Sequence, residues 1–170
     1  MMPGRNHYRA ALMWQFALAA YMQLISWVPL GRWNYQPCCP PALVQLRRGT
    51  LTLADSLAAA AFLLPAAVFW LGVRTQRRWA MWCGLLATTV WLGLQLATWW
   101  PPYLFGASDR WAQVYARAFS HSTQILPRWG THLPPDGMHL PLQTLLAGAV
   151  ASGARALLRR PRSNAEPFGG

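Results

Sequence analysis

The chain has 170 residues, of which 54% are hydrophobic and 11% charged, and its formal net charge is +11. The length predicts a single domain, and the composition is too apolar for an ordinary soluble domain, so we expect a lipid bilayer as its solvent. The basic residues are all arginine and cluster beside apolar runs instead of forming a stripe with interleaved aromatic residues, which argues against nucleic acid as a partner. The arginine-only, alanine-rich composition is typical of a GC-rich, bacterial genome.

Four apolar runs, 10–29, 51–73, 80–100 and 140–158, are long enough to cross a bilayer, which requires about 20 residues of helix. Asp55 is the only formal charge in the second and third runs, whereas the fourth contains Arg155, which must extend to an interface. The sequence therefore predicts an all-α fold, an integral membrane four-helix bundle formed by residues 1–170 as one polytopic domain. Three spans is the alternative.

The arginine distribution orients these spans. Nine arginines lie in about 30 residues, which comprise the N-terminus, the link between the second and third spans, and the C-terminal segment. By contrast, residues 30–50 and 101–139 hold six arginines in 60 residues. We therefore expect both termini, including the tail 159–170, in the cytoplasm and the two long loops outside an inner (plasma) membrane. A cleaved signal peptide is the competing interpretation of the N-terminus. Aromatic residues gather where the outer interface is expected, at Trp27, Trp33, Tyr35, Trp99, Trp100 and Tyr103.

Small and polar residues at helical spacing predict which helix faces point inward. In the first span these are Gln15, Ala19, Met22, Gln23 and Ser26, and in the third span they are Thr88 and Gln95. The fourth span carries two overlapping pairs of small residues, Gly148 with Ser152 and Ala149 with Gly153, which permit close helix approach.

The first outer loop contains the adjacent pair Cys38 and Cys39. Their Cα atoms are about 3.8 Å apart across a trans peptide, below the roughly 4.4 Å usual for a disulfide, so ordinary pairing between them is disfavoured. Thiol chemistry, metal capture, interchain pairing and a simple turn bounded by prolines all stay open, as does the redox state of the pair.

The second outer loop contains an amphipathic pattern that predicts a helix over residues 108–126, begun by Ser108 as N-cap and stopped by Pro127. Its apolar face includes Trp111, Tyr115 and Phe119, which we expect to form an interface with the bilayer surface, the bundle or a partner.

Two imidazoles and a carboxylate, His132, Asp136 and His139, follow within eight positions. Together with His121 they are candidate catalytic residues, and His132, Asp136 and His139 are suitable ligands for a divalent metal such as zinc or iron. Pro134 and Pro135 oppose a continuous helix through them, and Pro-Asp-Gly favours a turn. The other interpretation makes Asp136 an N-cap of the last span and His139 an interfacial imidazole.

Asp55 is the candidate site inside the membrane, because an intramembrane carboxylate is costly. It is a catalytic candidate if it faces the same outer vestibule as the histidines. Its alternative role is to cap the start of the second span together with Thr52.

No phosphate-binding loop, nucleophile elbow, paired CxxC or zincin helix is present in the sequence. Our leading hypothesis is an accessory or structural subunit of a membrane complex, with a membrane-protein partner or a second copy of the chain. The alternative is a membrane enzyme with an outward-facing His/Asp site, metal-assisted or not. A third hypothesis, an oligomeric small transporter or channel protomer, has only a thin polar path in Gln15, Gln23, Thr88 and Gln95.

Overall fold

The computed structural model describes residues 5–28, 30–33, 57, 60–119 and 122–159, and this part of the chain is helical, with two isolated β-bridges and no strands. A 3-10 turn, Gly31–Trp33, follows the first helix. The all-α class predicted from the sequence is confirmed. The α-helices are α1 (Arg5–Trp27), α2 (Ala60–Thr75), α3 (Arg78–Phe105), α4 (Asp109–Ala118) and α5 (His139–Leu158).

Within the described residues, α3 is the one helix whose length and composition suffice to cross a membrane, and α2 is apolar but shorter. The bounds of α1, α3 and α5 agree with the predicted spans 10–29, 80–100 and 140–158 to within five residues. The start of the predicted span 51–73 lies outside the described residues, and α2 ends at Thr75.

Helix α3 continues through Pro101 and Pro102 to Phe105, five residues beyond the predicted end of the third span at Trp100. Each proline removes one amide donor from the helix. Contacts with other elements hold this last turn instead: the Trp100 indole N–H donates to Gln143 Oε1 at 2.9 Å, and the Tyr103 carbonyl lies 2.8 Å from a ring nitrogen of His132.

The four long helices share one core. One cluster joins the start of α1 and α3 to the end of α2 and α5, and a second joins the opposite halves of α1, α2 and α5 with Trp91 and Leu92 of α3. Neighbouring helices in this core therefore run antiparallel. The buried members are Ala11, Phe69, Met81, Leu85, Ala156 and Leu157 in the first cluster and Leu18, Met22, Phe62, Leu142 and Leu146 in the second.

Helices α2 and α3 form a tight hairpin. The connection is Gln76, in the left-handed region at φ 57°, and Arg77, whose amide donates to the Gly72 carbonyl at 2.9 Å. Further along, a Cβ atom on Gly84 would lie 2.7 Å from the Pro65 carbonyl oxygen. Only glycine allows the two backbones to approach this closely.

Polar side chains of α1 and α3 meet between the helices, on the faces that the sequence predicts to point inward. Gln15 Nε2 donates to Thr88 Oγ1 at 3.2 Å, and Thr88 Oγ1 donates to the Gly84 carbonyl at 2.9 Å. Gln15 and Thr88 are each 1% exposed, and Ala19 and Met22 are also buried, so the predicted inward direction of these residues is confirmed.

Arginines mark one end of the helices, which we call the arginine-rich end. Arg78 of α3 donates to the carbonyl of Leu157 at the end of α5, at 2.8 Å. Near the start of α1, the Arg159 Nη1 atom lies 2.6 Å from His7 Nε2. The other described arginines at this end are Arg5, Arg9, Arg74, Arg77 and Arg155.

Helix α4 begins as predicted and ends early. Ser108 is its N-cap, accepting from the Trp111 amide at 3.3 Å. The helix stops at Ala118 instead of reaching Pro127, so the predicted extent 108–126 is wrong. Serine and threonine side chains compete for backbone partners, and Ser122 Oγ donates to the Phe119 carbonyl at 2.7 Å, which ends the helix in a turn.

Cys38 and Cys39 lie outside the described residues, so their redox state stays open. Cys83 on α3 is free and exposed.

Candidate functional site

The described residues between α3 and α5, 106–119 and 122–138, form a cap over one end of the helices, which we call the capped end. One backbone hydrogen bond ties the cap to the turn that follows α1: the Thr123 amide donates to the Arg32 carbonyl at 2.7 Å. Two others join parts of the cap: the Ala107 amide donates to the Thr131 carbonyl at 2.9 Å, and the Gly137 amide donates to the Thr123 carbonyl at 2.5 Å. A Cβ atom on Gly137 would lie 3.0 Å from the Thr123 carbonyl, so glycine permits the last contact.

Trp99 of α3 lies beneath the cap, at the centre of its apolar contacts, and is 2% exposed. Its ring lies 5.7 Å from Trp111, 6.3 Å from Tyr115 and 5.0 Å from Phe119, each in an edge-to-face arrangement. Leu133, also 2% exposed, completes this cluster from the far side of the loop. Edge-to-face pairs add to the hydrophobic stabilisation, so the cap has a small core of its own.

Asp136 and His139 meet beside this core. Asp136 Oδ1 accepts from the His139 backbone amide at 2.9 Å and lies 2.6 Å from His139 Nδ1. Asp136 is 1% exposed, and its backbone carbonyl accepts from the Leu140 amide at 3.2 Å. The carboxylate therefore caps the first turn of α5, as the turn interpretation predicts, and holds the imidazole at the same time.

The His139 ring is fixed on three sides. Its centroid lies 4.3 Å from that of Trp99 and 5.7 Å from that of Phe119, and its side chain is 15% exposed. A carboxylate can only accept hydrogen bonds, so in the neutral ring Nδ1 carries the proton and Nε2 is the acceptor. This orientation is the one in which an imidazole can take a proton from another molecule.

Tyr115 supports the loop that carries Asp136. Its hydroxyl donates to the Pro134 carbonyl at 3.0 Å, and the side chain is 1% exposed. Burial, followed by the nearby Asp136 charge, raises the pKa of Tyr115 to about 12. The phenol is therefore a neutral donor at physiological pH and holds Pro134 and Pro135, both fully buried, against the helices.

His132 lies apart from this pair. Its Nδ1 atom is 2.8 Å from the Tyr103 carbonyl, and its ring packs against Trp129 at 6.3 Å. Among the described residues, no group of three histidine, cysteine or acidic side chains is arranged to hold a metal ion. The structure thus brings together two of the predicted site residues, Asp136 and His139, and directs His132 to the end of α3.

Two other predicted site residues, Asp55 and His121, lie outside the described residues. Their proximity to Asp136 and His139 therefore stays a prediction.

The predicted interface residues of α4 pack within the chain. Tyr115 is buried, and Trp111 and Phe119 are partly buried against Trp99. The indole N–H of Trp111 is buried without a hydrogen-bond partner in the described part of the chain. The surface that α4 offers to other molecules is instead its exposed side, which carries the polar residues Arg110, Gln113 and Arg117 together with Val114.

Trp99 and Leu133 belong to the site environment, and no pattern in the sequence indicates this role. The sequence places Trp99 in a ring of interfacial aromatic residues, whereas α4 covers it. Comparison with known proteins yields no match, whether to protein-family models, to curated proteins or to solved structures.

Proposed function

We propose that this chain is a bacterial inner-membrane protein of four spans, α1, α2, α3 and α5, with both termini and the arginine-rich end on the cytoplasmic side. The outward surfaces of α1, α2 and α3 support this, because they carry large exposed apolar side chains. Exposed examples are Met13, Phe16, Leu63, Leu64, Leu86, Val90 and Leu94. Charge supports the orientation, because seven described arginines lie at the arginine-rich end and four, Arg32, Arg110, Arg117 and Arg128, lie at the capped end.

Its function, we propose, is that of an accessory or structural subunit of a membrane complex. The observation that carries this is the contrast within the capped end: the polar groups capable of chemistry are covered, while apolar side chains at the rim are not. Asp136 and Tyr115 are each 1% exposed, whereas Leu104 is 56%, Trp129 53% and Phe105 83% exposed. We call these last three residues the rim.

The rim lies where a partner can reach it. Helix α3 has 28 residues and is about 42 Å long, whereas the hydrocarbon core of a bilayer is about 30 Å thick. With Arg78 at the cytoplasmic boundary, Phe105 lies beyond the acyl chains, at the level of the lipid headgroups. An exposed phenylalanine and tryptophan at this level are the kind of residues that anchor protein interfaces.

Native mass spectrometry of the protein gently extracted from its own membrane tests this proposal. We expect a defined heteromeric or homo-oligomeric mass that the double variant Phe105→Ser, Trp129→Ser loses and that Val114→Ser, 43% exposed on α4, retains. A monomeric mass for the wild-type protein would contradict the proposal, as would an assembly that survives the rim substitutions.

The second candidate is a membrane enzyme, favoured by one specific feature: the 2.6 Å contact of His139 Nδ1 with the buried carboxylate of Asp136. This arrangement fixes the tautomer and orients Nε2, as in acid–base pairs where a carboxylate positions a catalytic histidine. No described residue hydrogen-bonds to Nε2. In this proposal His139 is the general base, and Asp136 positions it.

The same spectra distinguish the two candidates. A metal or small-molecule adduct that disappears in His139→Gln, in a variant that keeps the wild-type far-ultraviolet circular dichroism, would favour the enzyme. A third candidate, a transporter or channel protomer, needs a polar path, and the buried Gln15 and Thr88 are already bonded to each other.

A further inference from the structure

A groove opens between the first half of α1 and the last half of α5, at the arginine-rich end. It encloses about 360 Å³, within the range of about 300–1,000 Å³ that small-ligand sites occupy. Its wall is formed by His7, Ala10 and Trp14 of α1 and by Gly148, Ala151 and Arg155 of α5. The groove is remote from the cap, from Asp136 and from His139.

Trp14 and Gly148 shape the inner part of this groove. A Cβ atom on Gly148 would lie 2.4 Å from Trp14 Cε3, so the missing side chain makes the space in which the indole lies. Trp14 is 39% exposed and presents one side to the outside. With Ala10 and Ala151 beside it, this part of the groove is an apolar channel that suits a hydrocarbon chain.

The open end of the groove is positively charged. Arg155 lines it, and Arg159, the residue that follows α5, lies 2.6 Å from His7. The two acidic residues that the structure describes, Asp109 and Asp136, both lie at the capped end, so no described carboxylate neutralises these guanidinium groups. Guanidinium groups bind phosphate oxygens in a bidentate manner, and arginines near a membrane surface attract anionic lipids.

We propose that this groove binds an anionic phospholipid of the leaflet at the arginine-rich end. The phosphate contacts Arg155 and Arg159, and one acyl chain lies along Trp14 between Ala10 and Ala151. This inference rests on the proposed placement in the membrane. The ligand binds away from the rim, which is the proposed partner surface. The combination of an unneutralised basic end and an apolar channel favours a lipid over a free phosphate ion.

The test uses the full-length protein and native mass spectrometry from mixed micelles that contain equal amounts of phosphatidylglycerol and phosphatidylcholine. The measured quantity is the ratio of the two lipid adducts. We expect phosphatidylglycerol to be preferred, and Arg155→Gln to reduce that preference by about fivefold, the effect of one arginine near a membrane surface. Arg117→Gln removes the same charge from the exposed side of α4 at the capped end and is expected to leave the ratio unchanged.

A second variant tests the channel without changing charge. Ala151→Phe fills the groove from an exposed position on α5 and is expected to reduce both lipid adducts. A phosphatidylglycerol preference in Arg155→Gln equal to that of the wild type would overturn the proposal, because the preference would then not depend on this arginine. An equal reduction in Arg155→Gln and Arg117→Gln would also overturn it, because the preference would then reflect net charge alone. Wild-type-level adducts in Ala151→Phe would also overturn it.

Flotation of the protein with phosphatidylcholine vesicles separates this proposal from the membrane placement on which it depends. A protein that floats with vesicles but shows no dependence on Arg155 contradicts the lipid site alone. A protein that does not float contradicts the membrane placement, and the lipid site with it.

Discussion

The bundle of long helices and the cap that covers it are stabilised differently. In the helices the backbone satisfies its own hydrogen bonds, and the close contacts come from missing side chains, as at Gly84. In the cap the backbone is irregular, and polar side chains supply its partners: Tyr115 bonds to Pro134, Ser122 to Phe119, and Asp136 to the His139 amide. Buried backbone groups must be paired, so a segment without regular structure uses its hydroxyl and carboxylate groups for this purpose. A reactive side chain in such a segment therefore already serves to pair buried backbone groups.

The largest expected effect comes from removing the centre of the cap. Trp99→Ala should destabilise the cap by about 3–5 kcal/mol, the usual range for a buried large aromatic residue, because it leaves a cavity under α4. Hydrogen exchange followed by mass spectrometry should show lost protection over 109–118 and retained protection over 142–156. Trp99→Phe keeps a ring and should lose less. Equal loss of protection in both segments would show that the cap and the helices unfold together as one cooperative unit.

The helices should be sensitive to added volume. Gly84→Ala places a methyl group against the α2 backbone, 2.7 Å from the Pro65 carbonyl, and should cost about 1–3 kcal/mol. Gly93→Ala on the same helix is a matched control, since its Cβ would meet nothing within 4 Å, and it should stabilise by up to about 1 kcal/mol through helix propensity. Thermal unfolding in detergent micelles measures both. Shifts of the same sign in the two variants would contradict close approach at Gly84.

Two substitutions of Asp136 separate its capping role from its charge. Asp136→Ala removes the acceptor for the His139 amide and should cost about 0.5–2 kcal/mol. Asn is as good an N-cap as Asp, so Asp136→Asn should unfold close to the wild-type temperature if capping dominates. A loss in Asp136→Asn as large as in Asp136→Ala would show that the charge of the Asp136 carboxylate, and not capping alone, matters to stability.

Tyr115 predicts a sensitivity of the cap to alkaline pH. Its pKa is about 12 in the folded chain and about 10 in an unfolded one, so between these values the unfolded state has lost a proton that the folded state keeps. This contribution to stability is complete below about pH 10 and is lost as the pH rises to about 12. The sequence contains no lysine, and comparison with Tyr115→Phe removes the contributions of the four other tyrosines.

The measurement for Tyr115 is the difference in unfolding temperature between the wild type and Tyr115→Phe. At about pH 9 the wild type should be more stable by the one hydrogen bond to Pro134, about 1 kcal/mol. At about pH 11.5 the difference should shrink. A difference that is constant with pH would mean that the phenol ionises with its ordinary pKa.

The smallest effect is expected at the polar pair between α1 and α3. Hydrogen bonds between membrane helices average about 0.6 kcal/mol, and Gln15 Oε1 is buried without a partner among the described residues. Gln15→Leu should therefore change stability little in either direction. A double-mutant cycle with Thr88→Val measures the pair itself. A loss comparable to that of Gly84→Ala would show that this pair, and not close packing, holds the helices together.

The long helices could be predicted from the sequence because apolar length and periodicity are local signals. The bounds of α5 differ from the predicted span by one residue at the start, and Gln15 and Thr88 face inward as expected. The end of α3 could not be predicted, since Pro101 and Pro102 locally favour a helix end and only distant contacts, such as Gln143 with Trp100, hold the last turn.

The site was predictable only where its contacts are close in sequence. Asp136 and His139 are three residues apart, and a Pro-Asp-Gly turn before a helix is enough to bring them together. The partner of His132 is Tyr103, 29 positions away, and no local pattern indicates it. The inward direction of Tyr115 and Phe119 likewise depends on where Trp99 lies in the fold.

The connection between α2 and α3 has a consequence for how the protein is made. Thr75 ends one helix and Arg78 begins the next, so only two residues separate them. In the membrane placement that we propose, a link of this length does not let the first helix settle in the membrane while the second waits outside, so the two helices enter together as a hairpin during synthesis, with Arg74, Arg77 and Arg78 on the cytoplasmic side. Lengthening this link with a flexible insert would convert one insertion event into two, and would give the second helix a choice of orientation that it now lacks.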